Sequence, residues 1–105
     1  MNDIYTDREP SRAEVDTMAG ATVLEFGASW CPICRGAQPA IHRAFEAHGD
    51  VRHLRIEDGP GRPLGRSFRV KLWPTLIFMK QGKEVARLVR PTDAASIDHA
   101  LRQLA

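Results

Sequence analysis

An apolar run, Val23-Leu24-Glu25-Phe26-Gly27-Ala28, leads through two residues into Cys31-Pro32-Ile33-Cys34, and a helical pattern follows at once. A strand handing over directly to a helix commits the chain to packed α and β layers, since each element must bury its apolar face against another. Cys31 falls at the handover. Unpaired backbone N–H groups and the positive end of the helix dipole stabilise an anion there, so a reactive thiolate is expected at Cys31. Cys31 and Cys34 are the only two cysteines. A pair two residues apart closes and reopens a small ring at little conformational cost, whereas a structural staple gains most by closing a long loop. The spacing therefore reads as a working redox pair. No cofactor is required, because the electrons reside on the two sulfurs.

At 105 residues the chain is expected to form one domain over 1–105, large enough for a core without staples. Hydrophobic residues at 43% and charged residues at 27% fit a globular protein and argue against disorder. A net charge of +2 is too small to select nucleic acid or an anionic membrane as partner. The densest basic cluster, Arg62, Arg66, Arg69 and Lys71, reads as a solvated helix face, with a docking surface for an acidic partner as the alternative. Met1 to Glu9 is polar and lacks the apolar stretch of a secretion signal, and no segment approaches membrane-spanning length. The expectation is a cytoplasmic monomer. In that compartment an isolated cysteine pair is more often catalytic or metal-binding than structural.

Ser11 and Glu14 have capping-box spacing, so a short helix starts there, with Val15 and Met18 on its apolar side and Gly20 as its end. Residues 22–28 form a buried strand. Pro32 suits the first turn of the next helix, and Ile33, Ala37, Ile41, Ala44 and Phe45 continue it to a stop at His48-Gly49, with Pro39 kinking it. Val51 to Glu57 is a second strand, parallel to the first through a right-handed crossover. A short helix lies around Leu64 to Phe68. Thr75 to Met79 and Glu84 to Val89 form a hairpin about Gln81-Gly82, and a last helix starts near Thr92-Asp93. The architecture is α/β: a central mixed sheet of four to five strands with helices on both faces.

The cysteine pair at a strand-to-helix junction, Trp30 before it, Pro39 in the helix, Trp73-Pro74-Thr75 further on and Lys80-Gln81-Gly82-Lys83 at the last hairpin together resemble the thioredoxin family. The similarity runs from the first helix to the last. It implies the thioredoxin fold and a thiol–disulfide oxidoreductase acting on protein disulfides, re-reduced by a reductase or thiol donor. Cys31 would attack the substrate disulfide and Cys34 would resolve the mixed disulfide. Pro74, matching the family's cis proline, would frame a substrate groove with Trp30, Pro32, Ile33, Trp73 and Thr75. Two departures stand out. Thioredoxins proper carry Gly-Pro between the cysteines, where this chain has Pro32-Ile33, and a glycine near the end of the last strand is here Arg90. The first tunes potential; the second narrows or charges the groove.

Glu25 lies at the position of the family's buried aspartate. It is expected to be desolvated, with a raised pKa, and to relay a proton to or from Cys34. His53 aligns with a lysine that pairs with that acid, which suggests a Glu25–His53 contact. Three other readings compete with this one. A zinc site built from Cys31, Cys34, His42 and His48 fails because all four would lie along one helix and could not converge, so no metal is expected. A non-catalytic binding or chaperone module would have no need for two cysteines at this spacing. A glutaredoxin-like, glutathione-linked reductase fits poorly with a full helix before the first strand and a tryptophan directly before Cys31. His42, His48 and His99 are placed on helices without chemistry.

Overall fold

The computed structural model of the chain describes residues 5–105. In chain order its elements are α1 (Arg12–Asp16), β1 (Ala21–Gly27), α2 (Pro32–Phe45), β2 (Arg52–Glu57), α3 (Pro63–Ser67), β3 (Thr75–Lys80), β4 (Lys83–Val89) and α4 (Ala94–Arg102). The sheet runs β2-β1-β3-β4, with β1 parallel to β2 and β3 antiparallel to both of its neighbours. The parallel pair follows from the α2 crossover. The β3–β4 pair follows from the two-residue turn, in which Gln81 and Gly82 both hold positive φ, 50° and 77°.

The central strands β1 and β3 are buried on both faces, and alternation assigns each of their residues to one of them. Val23, Leu76 and Phe78 pack with Ile41 and Phe45 of α2 and Ile97 and Leu101 of α4. Leu24, Phe26, Ile77 and Met79 pack on the other side with Val15, Leu64 and Phe68. Each such side chain contributes about 1.5–3 kcal/mol when fully buried. The pattern also has a consequence for chemistry. Glu25 shares the face of Val23, so β1 carries a carboxylate into the layer beneath α2.

Several boundaries differ from the expectations. The capping box is present: the Glu14 amide donates to Ser11 Oγ at 3.0 Å and the Ser11 amide to Glu14 Oε1 at 3.1 Å. The helix closes at Asp16, before Gly20, because the Thr17 amide and hydroxyl both turn back onto the Glu14 carbonyl. Helix α2 ends at Phe45, so His48 is not on a helix. Its amide donates to the Phe45 carbonyl in a turn, and its ring meets Asp98 of α4 at 2.8 Å.

The basic cluster is not a helix face. Arg62 precedes α3 as its cap, and only Arg66 lies within the helix. Arg69 takes a left-handed φ of 58°, which breaks the helical run before Lys71. The four cations instead line a hollow of about 630 Å³ shared with Asp58 and Trp73. Of the polar N-terminal stretch, Met1 to Ile4 lie outside the described residues. Thr6 runs parallel to the outer edge of β2: its amide donates to the Arg55 carbonyl, and the Glu57 amide donates back to the Thr6 carbonyl, both at 2.8 Å. Among the described residues no helix is long and apolar enough to cross a membrane.

Candidate active site

Cys31 is the N-cap of α2, and its Sγ accepts the Cys34 amide at 3.2 Å. Pro32 occupies the first helical position, where its missing N–H leaves no bond unmade. Both cysteines are free thiols, Cys31 at 6% exposure and Cys34 at 0%. Burial first, and then the neighbouring Cys31 sulfur, push the Cys34 thiol up to about 12. Cys34 therefore remains protonated near neutral pH while its partner is a free thiol. The two sulfurs are adjacent but unequal.

Beneath them Glu25 is fully buried and heavily partnered. His53 Nε2 lies 2.8 Å from Glu25 Oε1, so the structure brings together the two residues paired in the sequence reading. Arg55, opposite Glu25 in the parallel register, donates from Nε to Oε1 and from Nη2 to Oε2, each at 3.3 Å. Gln38 Nε2 donates to Oε2 at 3.0 Å and also to the Cys34 carbonyl at 2.9 Å. The Tyr5 hydroxyl donates to Oε2 as well. The expected raised pKa of Glu25 is not what this environment produces. Burial does push the carboxyl up, but the His53 hydrogen bond and the Arg55 charge outweigh it, and the group is drawn down from its ordinary 4.5 to about 2. The acid is desolvated yet held as a carboxylate.

The rim above the thiols is apolar and open. Trp30 is 68% exposed and Ile33 46%, and Trp30 meets Trp73 edge-on at 5.7 Å between ring centroids. Trp73 packs against the cluster of Tyr5, Ala28, Cys31 and Cys34, and its indole N–H is fixed by Asp58 Oδ2 at 2.9 Å. The Trp73–Pro74 peptide is cis. Thr75 is buried and its hydroxyl donates to the Leu72 carbonyl at 2.6 Å, so that side chain closes a turn and does not face the groove. Arg90 sits at a φ of 52°, the left-handed region that favours glycine, and its amide donates to the Pro74 carbonyl at 2.8 Å. Its Nε donates to the Trp73 carbonyl at 2.9 Å. The arginine thus covers a backbone acceptor beside the thiols.

Tyr5, Gln38, Arg55 and Asp58 were missing from the sequence reading. Gln38 and Arg55 had a signal. Gln38 stands one helical turn after Cys34 on the same face, and Arg55 is a charged residue between the apolar Leu54 and Ile56. Nothing local marks Tyr5 or Asp58.

The thioredoxin family profile matches residues 4–103. The chain belongs to the thioredoxin family. The structure of thioredoxin 2 from Pseudomonas aeruginosa superposes with a TM-score of 0.89 at 49% identity, over 99% of this chain and 96% of that one. Thioredoxin H2 of Arabidopsis thaliana is 30% identical over 98 residues, 80% of this chain and 74% of its own. Thioredoxin-2 of Saccharomyces cerevisiae is 34% identical over 73 residues, 70% of either chain. The family's fold and its cysteine pair are both present, and the protein is a thiol–disulfide oxidoreductase. Thioredoxins act on protein disulfides and are themselves reduced by a reductase.

Proposed function

We propose that this protein works in the reducing direction, with Cys31 as the attacking thiol and Cys34 as the resolving one. The observation that carries the assignment of the two roles is the inequality of the two sulfurs. Cys31 caps α2 at the apolar rim, whereas Cys34 is fully buried and pushed up to about 12. Cys31 forms a mixed disulfide with the substrate; its sulfur, now bonded, no longer presses against Cys34 as a thiolate. Two of the causes that hold Cys34 protonated fall away at the moment Cys34 must attack. Glu25, which stands ionised beneath the two sulfurs, is the acceptor in that step; its depressed pKa makes it a weak base that holds the proton only transiently.

Trp30, Pro32, Ile33, Trp73 and Arg90 form the substrate-facing surface in this reading, with the buried Pro74 and Thr75 bracing it from below. The partners are protein disulfides on one side and a reductase or thiol donor on the other. The protein acts as a single domain, as a monomer, in the cytoplasm. Equilibration of Cys31–Cys34 against a glutathione or dithiothreitol buffer tests the direction. A potential near about −270 mV, the value of a general thioredoxin, is expected; one near about −120 mV would mark an oxidant and overturn the reading.

A further inference from the structure

Tyr5 is 5% exposed and lies outside every regular element, yet the chain fixes it from several sides. Its amide donates to Ser29 Oγ at 3.2 Å, and the following residue, Thr6, is paired with β2. The Arg55 guanidinium stacks over its ring at 4.6 Å. The ring enters the space over Gly27. A Cβ at that glycine would stand 2.8 Å from Tyr5 Cζ, 2.9 Å from the Tyr5 hydroxyl oxygen and 2.9 Å from Cys34 Sγ. Phenol and thiol therefore converge on a spot kept empty of side chain. The Tyr5 hydroxyl donates to Glu25 Oε2 and accepts from Gln38 Nε2 at 3.3 Å. Burial dominates the raised pKa of the Cys34 thiol, and the neighbouring Tyr5 hydroxyl acts against it.

We propose that Tyr5 is a catalytic residue of the resolving step, carrying the Cys34 proton to Glu25 and then stabilising the Cys34 thiolate as a hydrogen-bond donor. The inference rests on the assignment of Cys34 as the resolving thiol. The proton leaves Cys34 Sγ for the Tyr5 oxygen as the Tyr5 proton passes to Glu25 Oε2, so the phenol ends neutral with its O–H aimed at the thiolate. The electron pair on Sγ forms the bond to Cys31 Sγ, the bond from Cys31 to the substrate sulfur breaks, and the substrate leaves as a thiolate. Glu25 releases its proton to solvent, from which the departing thiolate takes one. The groups facing this path are His53 and Arg55 from β2, Gln38 and Cys34 from α2, and Cys31 at the N-cap of α2. With Tyr5 turned to the sulfur, Glu25 keeps its contacts to His53, Arg55 and Gln38, so the carboxyl is never left unpartnered.

The test is the stepwise reaction of the reduced protein with 5,5′-dithiobis(2-nitrobenzoate), comparing the parent with Tyr5→Phe. The first thionitrobenzoate reports attack by Cys31, and the second reports resolution by Cys34. The expected result is an unchanged first phase and a second phase slowed at least about tenfold at pH 7, with its pH midpoint moved upward. A second phase equal to the parent's in rate and pH profile overturns the proposal. Absence of a second phase in the parent would instead overturn the resolving role on which it rests. Should Tyr5→Phe fail to fold, the parent in heavy water decides. A solvent isotope effect confined to the second phase supports a proton in flight through the phenol, and its absence overturns it.

Discussion

Glu25 shows how far a single residue's chemistry depends on what faces it. Burial alone would make it a neutral acid, but Arg55 and His53 make it a carboxylate with a pKa of about 2 in place of 4.5. The sign of the stability consequence follows. The folded state binds the proton less tightly than the unfolded chain, so ionised Glu25 contributes stability that is fully present above pH 4.5 and lost as pH falls towards 2. The shift corresponds to about 3 kcal/mol. Urea unfolding followed across that window is expected to show this loss. Glu25→Gln is expected to remove this contribution to the pH slope and to lower neutral-pH stability by about 3–5 kcal/mol, because it leaves the buried Arg55 guanidinium without its carboxylate.

The end of β4 is where an element meets its constraint. Arg90 holds a backbone conformation that favours glycine, and it recovers part of that strain through hydrogen bonds to the carbonyls of Trp73 and Pro74. Arg90→Gly relieves the backbone and forfeits the guanidinium bond, two effects of about 1 kcal/mol that oppose each other. Stability is expected to change by less than about 1 kcal/mol, whereas the Trp73 carbonyl becomes open to a substrate N–H. The KM for insulin reduction is therefore expected to fall with kcat little changed, read from steady-state turbidity assays. The same element shows what local pattern conveys. The hairpin, its Gln81-Gly82 turn and its antiparallel sense were legible, since turn chemistry and strand alternation are local. That the Arg90 side chain would fold back onto Trp73 was not, because the contact joins residues 17 apart.

Across the molecule, the hollow bounded by Arg62, Arg66, Arg69 and Lys71 lies beside Trp73 and so beside the apolar rim. Arg62 is paired with Glu57 at 2.8 Å, while Arg66, Arg69 and Lys71 stand exposed. A protein disulfide on an acidic surface would be drawn to this flank before it reaches Cys31, and exposed charges are screened over about 10 Å at 0.1 M salt. The kcat/KM for such a substrate is expected to fall as ionic strength rises. The double substitution Arg66→Glu, Lys71→Glu is expected to lower it further and flatten the salt dependence; a slope equal to the parent's would show that this flank takes no part in encounter. On the sequence alone these cations read as a solvated helix face. The left-handed backbone at Arg69, which turns the chain away, is a tertiary outcome that composition does not announce.

What the sequence determined by itself was the order of elements, the mixed sheet and the redox pair at the start of α2. All of these rest on periodicity, caps and turn residues within reach of one another along the chain. The tertiary structure decided the chemistry beneath that pair. It set Arg55 opposite Glu25 through the parallel register, placed Gln38 over the same carboxylate, and brought Tyr5 from the N-terminal segment to the empty position above Gly27. Whether Glu25 is a neutral acid or a carboxylate turns on charges within a few ångströms in a desolvated layer. Those distances exist only once the sheet has been assembled.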